Sequence, residues 1–209
     1  MNSREKLTRH LQEDIKVFKS PEIKKAFEKI DRADFVSDDY KNEAYEDYPL
    51  SIGYGQTISQ PTTVAFMLEL LEPAKGNKIL DVGSGSGWTT ALLSEIVGDE
   101  GNVTGIEIVP ELVYFGQKNL AKYGYKNSKI VKANEKIGLK SEAPYDRILV
   151  SACFENKIPA ELVNQLRIGG IIAASVDDSI CKIEKISEEK IKQICYKGFA
   201  FVPYKYTKI

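Results

Sequence analysis

The run KILDVGSGSGWTTALL, residues 78–93, constrains the fold of this chain more than any other stretch. A short apolar segment ends at Val82, three glycines then alternate with serines, and a helical apolar pattern starts near Trp88. Glycines between a strand and a helix let the backbone turn tightly and approach a ligand closely. The run therefore predicts a strand–turn–helix unit whose turn binds a ligand at the carboxyl edge of a parallel sheet.

Strand-like and helix-like apolar segments alternate through the rest of the chain. The strands are apolar almost throughout, which indicates a doubly wound, mostly parallel α/β sheet of Rossmann-like type with both faces covered. The last segments predict successive strands with short turns, so the sheet should end in antiparallel pairs. The predicted strands are 78–82, 102–108, 129–133, 146–151, 171–176, 180–186, 191–196 and 199–204, and the helices between them are 88–97, 110–123 and 159–166.

The first 60 residues lack this alternation. An amphipathic helix is predicted at 3–18, and a second helix should start at Ser20-Pro21, because proline suits the first helical turn. An irregular, tyrosine-rich stretch at 34–58 follows, and a helix at 62–71 leads into the sheet. We therefore expect one domain, 1–209, with a helical cover segment at 1–60 and a ligand-binding core at 61–209.

Charge and hydropathy argue against several classes of partner. The formal net charge is -1, which provides no electrostatic basis for binding nucleic acid. No apolar run reaches membrane-spanning length, and the N-terminus lacks the apolar core of a signal peptide. We therefore expect a cytoplasmic protein with no nucleic-acid or membrane partner. We also expect a monomer, although the sequence itself does not give the oligomeric state.

Cysteine and histidine usage narrows the chemistry. Cys153, Cys181 and Cys195 are odd in number and widely spaced, so we expect free or buried thiols rather than a disulfide framework or a metal site. The single histidine, His10, lies in a charged N-terminal helix. Catalysis by a histidine general base is therefore not expected.

The glycine-rich turn suits two classes of ligand. A dinucleotide site has the pattern Gly-x-Gly-x-x-Gly, and its third glycine would fall where Trp88 stands. Asp81, just before the turn, would repel a pyrophosphate but suits the cationic S-adenosylmethionine. Glu107 follows about 20 residues later, where a carboxylate can hold a ribose diol. These residues favour S-adenosylmethionine over a dinucleotide or over no ligand.

The polar stretch GYGQTISQPT, residues 53–62, precedes the apolar helix VAFMLELL. Two interpretations of its Ser59 compete. Serine is a common cap at a helix start, and Pro61 suits the first helical turn. A hydroxyl beside a cofactor could instead donate a hydrogen bond to a substrate carboxylate, which a helix N-terminus would also attract.

The run AYEDYPLSIGYGQTISQPTTVAFMLELL, followed by ILDVGSGSGWTTALLSEIVG, resembles the protein-L-isoaspartate O-methyltransferases. The resemblance extends over nearly the whole chain, through RADFV at 32–36, APYDRILV at 143–150 and IPAELVNQLRIGG at 158–170. The GYGQTIS segment is the most specific part, since methyltransferases in general lack it. The resemblance implies methyl transfer from S-adenosylmethionine to the α-carboxylate of L-isoaspartyl residues in damaged proteins, as a repair reaction.

The resemblance also implies a role for each matching residue. Ser59 matches the family's active-site hydroxyl, and Glu107 matches the residue that binds the ribose hydroxyls. Asn134 stands where the family has an aspartate that accepts a hydrogen bond from the adenine amino group, and its carbonyl can still accept one. The other implied residues of the cofactor site are Gln56, Thr57, Ile58, Asp81, Gly83, Ser84, Gly85 and Ile108.

Three departures from the family pattern leave alternatives open. Ala133-Asn134-Glu135 replaces Gly-Asp-Gly, Ser175-Val176-Asp177 replaces Pro-Val-Gly, and 153–156 replaces a small, proline-containing run. The last two departures concern the region expected to hold the substrate peptide. A methyltransferase with another acceptor, and an inactive homologue that still binds the cofactor, are the alternatives that these changes motivate.

Overall fold

The structure, a computed structural model, describes residues 3–134 and 136–204. Its strands are β1 (Leu50–Gly53), β2 (Gln56–Ile58), β3 (Lys78–Val82), β4 (Asn102–Glu107), β5 (Ser128–Lys132), β6 (Tyr145–Phe154), β7 (Leu166–Val176), β8 (Ser179–Lys185) and β9 (Ile191–Lys197). Its α-helices are α1 (Ser3–Arg9), α2 (Pro21–Lys29), α3 (Pro61–Leu71), α4 (Trp88–Val97), α5 (Pro110–Ala121) and α6 (Ala160–Val163). Within these residues, no helix has the length and apolar character needed to cross a bilayer.

Seven strands form one sheet in the order β5-β4-β3-β6-β7-β8-β9. The pairs from β5 to β7 are parallel, and β8 and β9 are added in antiparallel fashion. This confirms the predicted Rossmann-like sheet with an antiparallel end. From β3 the chain adds β4 and β5 on one side and then returns to add β6 on the other side. The order therefore reverses between β3 and β6, and the carboxyl ends of these two strands border the crevice where such sheets bind ligands.

Alternate residues of the strands belong to two separate cores. In β3, Ile79 packs in the core shared with α1 to α5, whereas Leu80 and Val82 pack in the core on the opposite face. That opposite face is covered by the four-residue α6 and by non-helical chain around Ile137 and Leu139. The two faces are therefore covered unequally, and the helix predicted at 159–166 is much shorter than expected.

Three further predictions about the elements are wrong. The first helix changes to a π-helical turn at His10–Asp14, and Lys16 has a φ of 57°, so the helix does not reach residue 18. The stretch 34–58 contains the antiparallel hairpin β1–β2, with Leu50 opposite Ile58. Residues 199–204 form no strand; a single bridge joins Pro203 to Cys153 at the end of β6.

The expectation of free thiols is wrong for two of the three cysteines. Cys181 on β8 lies directly opposite Cys195 on β9, and their sulfurs form a disulfide. Cys153 is free. Sequence spacing does not reveal such a pair, because the register of the β8–β9 hairpin places the two side chains next to each other.

Candidate active site

The glycine-rich turn connects β3 to α4 with a backbone that other residues would strain. Gly83, Gly85 and Gly87 all have positive φ, at 76°, 52° and 90°. A Cβ at position 87 would also lie 2.9 Å from Ile130 Cδ1 and 3.1 Å from the Gly116 carbonyl oxygen. All three glycines therefore suit the path of the turn, and Gly87 is also required for its close packing against α5 and β5.

Glu107, the last residue of β4, is held by backbone groups from two loops. Its Oε2 accepts a hydrogen bond from Gly85 N at 2.9 Å, and its Oε1 accepts from Ile108 N at 2.7 Å and from Val109 N at 3.0 Å. The side chain is 6% exposed and lines the pocket described below. Since an ionised carboxylate can accept about four hydrogen bonds, Glu107 retains capacity for ligand hydroxyls.

Asp81 lies beneath the turn rather than in the wall of the pocket. It is fully buried, and its Oδ2 accepts hydrogen bonds from the hydroxyls of Thr89 and Thr90, both at 2.7 Å. Its Oδ1 is buried without a hydrogen-bond partner among the described residues. Burial raises the pKa of Asp81 from 3.8 to about 6; the threonine hydroxyls oppose this shift and nearby Glu107 adds to it. Asp81 is thus an anion near neutral pH that is bound to the first turn of α4.

A pocket of about 960 Å³, part of it open to solvent, brings the expected site residues together. Every residue predicted for the site lines it except Asp81. Sequence reasoning missed further lining residues, which come from β1, α3, β3, the glycine turn, α4, β4, the chain after β5, the end of β6 and the C-terminal segment. They include Ile52, Val64, Trp88, Thr89, Ser151 and Pro203.

The C-terminal segment reaches the pocket through backbone pairing with β6. Cys153 N donates to the Val202 carbonyl at 2.9 Å, and Tyr204 N donates to the Cys153 carbonyl at 2.8 Å. Val202 to Tyr204 thereby form part of the pocket wall. No local pattern in the sequence signals this contact, because it joins segments about 50 residues apart.

Asn134 lies at an exposed edge of the pocket, just after β5. Its Oδ1 accepts a hydrogen bond from Lys136 N at 2.9 Å. A carbonyl oxygen has two lone pairs, so this oxygen can accept a second hydrogen bond from a ligand amino group. The role predicted for Asn134 is compatible with this geometry and stays a prediction.

Ser59 lies in the two-residue link between β2 and α3, and it does not cap the helix. The N-cap residue of α3 is Gln60, without a side-chain cap, and Asp47 takes the capping role instead. Asp47 Oδ1 accepts from Thr62 N at 2.9 Å, and its Oδ2 accepts from the Thr62 hydroxyl at 2.6 Å. Ser59 lines the pocket, and its hydroxyl makes no hydrogen bond to another described residue.

The lining residues fit S-adenosylmethionine better than a phosphate-bearing cofactor. No lysine, arginine or histidine is present among the described residues of the pocket wall, so a pyrophosphate would find no cation there. The wall does contain the Glu107 carboxylate, and Ser84 Oγ is buried in it without a partner. An unpaired buried hydroxyl calls for a hydrogen-bond partner from a ligand.

The fold and this pocket together define an S-adenosylmethionine-dependent methyltransferase. The model of the family described as protein-L-isoaspartate(D-aspartate) O-methyltransferase (PCMT) matches residues 2–208. The chain is 40% identical over 206 residues to the protein-L-isoaspartate O-methyltransferase of Methanopyrus kandleri, covering 96% of this chain and 90% of that one. It is 42% identical over 196 residues to the Thermococcus sibiricus enzyme of the same name, covering 90% and 86%. The chain belongs to the protein-L-isoaspartate O-methyltransferase family.

Solved structures agree with this fold. A protein-L-isoaspartate O-methyltransferase structure with 26% identity superposes with a TM-score of 0.87, covering 97% of this chain and 66% of the other. A Plasmodium falciparum protein assigned to the same activity, solved with S-adenosyl-L-homocysteine, also gives a TM-score of 0.87 at 24% identity. The superposition covers 99% of this chain and 100% of the Plasmodium falciparum chain. At 24% identity, this similarity supports the assignment of the fold alone.

Proposed function

We propose that this enzyme transfers the methyl group of S-adenosylmethionine to the free α-carboxylate of L-isoaspartyl residues in damaged proteins, and that Ser59 orients this carboxylate. The observation that carries the role of Ser59 is its position. Ser59 lines the same pocket as Glu107 and Gly85, and its hydroxyl is not used to cap α3. Membership of the family supports the choice of acceptor.

The cofactor half of the pocket would be formed by the turn after β3 and the loops after β4 and β5. Glu107 would accept hydrogen bonds from the ribose hydroxyls, and Asn134 from the adenine amino group. Ser84, Gly85 and Ile108 line the same pocket. When bound, S-adenosylmethionine supplies a methyl group activated by a positively charged sulfur.

The acceptor needs alignment rather than deprotonation. A free α-carboxyl group has a pKa of roughly 3.5, so it is already an anion at neutral pH. A neutral hydroxyl such as that of Ser59 can hold one carboxylate oxygen by a hydrogen bond without introducing a charge. The N-terminus of α3 is already occupied by the carboxylate of Asp47, so Ser59 is the donor that this link offers to the substrate. Holding reacting atoms in the productive geometry can supply a large part of catalysis.

Apolar side chains should help by keeping water out. Ile52, Val64, Trp88 and Pro203 line the pocket beside the polar groups. Because opposite charges of donor and acceptor neutralise each other during transfer, a site that replaces water with apolar and fixed polar groups favours the reaction. Of the aromatic stretch expected to cover the site, Tyr48 and Tyr54 are exposed, while Tyr40 and Tyr45 pack against the core.

The altered segments provide no support for a different acceptor. Asn156 N donates to Asp177 Oδ1 at 3.0 Å, and Asp177 N donates to the Phe154 carbonyl at 3.0 Å. The two segments therefore contact each other, and neither 153–156 nor 175–177 lines the pocket among the described residues. The proposal further includes a cytoplasmic enzyme acting on proteins rather than on nucleic acid, on the grounds of composition given above.

A pair of peptides that differ in one linkage tests the acceptor. The enzyme is incubated with labelled S-adenosylmethionine and either an isoaspartyl peptide or its normal aspartyl counterpart. We expect transfer to the isoaspartyl peptide, followed by non-enzymatic closure of the ester to a succinimide. Equal labelling of both peptides would refute the proposed specificity.

Replacing Ser59 with alanine tests its role. We expect Ser59→Ala to lower kcat by about 10- to 100-fold, as loss of an orienting hydrogen bond does, with the Kd of S-adenosylhomocysteine within about threefold. Ser51→Ala, on the exposed side of β1, is the matched control and should leave kcat unchanged. A large loss of stability or of cofactor affinity in Ser59→Ala would instead indicate a structural role.

A further inference from the structure

Arg32 is a buried cation whose four hydrogen bonds all go to backbone carbonyls. It lies in a short 3-10 turn after α2 and is 2% exposed. Its Nη1 donates to the Ala44 and Glu46 carbonyls at 2.9 and 3.2 Å. Its Nη2 donates to the Tyr48 and Ser59 carbonyls, both at 3.0 Å. The planar guanidinium thereby holds two separate segments in one fixed arrangement.

The position of this guanidinium relates it to the active site. Its Cζ lies 5.3 Å from the centre of the Trp88 ring, and Trp88 begins α4 and lines the pocket. No carboxylate of the described residues lies within ion-pair distance of it. Burial lowers the pKa of Arg32 to about 10, partly offset by the charges of Asp47 and Tyr48, so it remains a cation at neutral pH. Burying a charge without a paired carboxylate is costly, so its use here requires an explanation beyond packing.

The hydrogen bond from Arg32 to the Ser59 carbonyl is made at a residue that belongs to neither a strand nor a helix. Ile58 is paired with Leu50 in the β1–β2 hairpin, and α3 starts at Pro61. Ser59 lies between these elements, and its carbonyl oxygen accepts from Arg32. Fixing this carbonyl restricts rotation of the peptide unit next to the Ser59 side chain. The guanidinium therefore constrains the backbone from which the Ser59 hydroxyl projects.

We infer that Arg32 is a positioning residue for methyl transfer, which fixes the Ser59 peptide relative to the 44–48 segment and Trp88 so that the Ser59 hydroxyl faces the acceptor carboxylate. This inference rests on the proposed role of Ser59. Arg32 does not line the pocket itself, so it acts through Ser59 rather than on the substrate. A displacement of about 1 Å at a reacting group is enough to slow an enzyme about 100-fold.

The first test replaces Arg32 with lysine, which keeps the positive charge but not the fork of donors. We expect Arg32→Lys to lower kcat for the isoaspartyl peptide by about 10- to 100-fold. The Kd of S-adenosylhomocysteine, measured by calorimetry, should stay within about threefold because the contacts of Glu107 and the glycine turn are unchanged. Tyr45→Phe is the matched control, since it removes a 2.8 Å hydrogen bond to Asp31 from the same segment without touching Ser59. It should leave kcat unchanged.

A double-mutant cycle separates positioning from general support of the fold. Without the Ser59 hydroxyl, Arg32 has nothing to position, so the double variant Arg32→Lys with Ser59→Ala should be within about threefold of Ser59→Ala alone in kcat. Multiplicative losses would overturn the inference. So would a parallel loss of cofactor affinity in Arg32→Lys, which would show a distorted pocket. An unchanged kcat in Ser59→Ala would instead refute the proposed role of Ser59, and the inference with it.

A second variant covers the case in which lysine is not tolerated. Arg32→Gln can donate two hydrogen bonds and avoids burying a charge. It should show the same lowered kcat and the same non-additivity with Ser59→Ala if it folds, as judged by circular dichroism and a cooperative thermal transition. If neither variant folds, Arg32 serves the fold itself and the inference is wrong.

Discussion

Replacing Asp81 with asparagine is predicted to change how the stability of the protein depends on pH. The carboxylate is fully buried, and the hydroxyls of Thr89 and Thr90 donate to Oδ2. Its pKa is raised from 3.8 to about 6 by burial. Between these values the folded protein holds the proton more often than the unfolded chain does. Stability therefore falls as the pH rises through this window.

The size of the effect follows from the two pKa values. The interval from 3.8 to about 6, at about 1.36 kcal/mol per pH unit, makes ionised Asp81 about 3 kcal/mol less favourable in the folded protein than in the unfolded chain. About 1.6 kcal/mol of this cost is present at pH 5, and nearly all of it at pH 8. The asparagine amide would lack a partner at the Oδ1 position, at a cost of about 1–3 kcal/mol that does not vary with pH. The pH-dependent part alone is therefore diagnostic.

Urea unfolding of the wild type and of Asp81→Asn at pH 5 and pH 8 measures the pH-dependent contribution of Asp81 to the free energy of unfolding. The free energy of unfolding of the variant, minus that of the wild type, should be about 1.4 kcal/mol more positive at pH 8 than at pH 5. Glu142→Gln is the control. Burial raises the pKa of Glu142, but hydrogen bonds from Lys129 and Thr104 outweigh burial, so the pKa lies below its ordinary value of 4.5. The stability that ionised Glu142 contributes is therefore present above pH 4.5 and should vary little between pH 5 and pH 8. A difference for Asp81→Asn that is flat or of opposite sign would refute the account of Asp81.

Two other substitutions test the cofactor half of the site. Glu107→Gln should weaken binding of S-adenosylmethionine at least 10-fold, as measured by calorimetry. The single amide oxygen of glutamine cannot accept hydrogen bonds from both Gly85 N and Ile108 N as the two carboxylate oxygens do. Unchanged affinity would contradict the role of Glu107. Gly87→Ala should lower the free energy of unfolding by at least about 1 kcal/mol more than Gly83→Ala, as measured in urea. Both glycines have positive φ, but a Cβ at 87 meets Ile130 at 2.9 Å, whereas at 83 its nearest contact is 3.7 Å; equal losses would contradict this packing argument.

Local patterns predicted the elements that form the sheet and its glycine turn. The alternation of apolar strands and helices predicted the parallel order of β3 to β7, because buried strands and amphipathic helices have distinct periods. The same reasoning overextended the first helix and α6, where no local signal marks the end. It also took 199–204 for a strand, although this segment makes its hydrogen bonds to the end of β6 at the border of the pocket. The assigned roles of the site residues stay predictions, although the structure brings all of them except Asp81 to one pocket wall.

What the sequence alone determined is the part of the molecule that local geometry dictates. A turn with three positive φ angles requires glycines wherever the chain folds, and Glu107 at the end of the next strand is brought beside that turn by the parallel sheet itself. The tertiary structure decided whether Ser59 is a cap. Asp47, brought to α3 from 15 residues away, makes the capping bonds, and Arg32 binds the Ser59 carbonyl from 27 residues away. Such contacts depend on how distant segments pack and pair, and no local propensity encodes them.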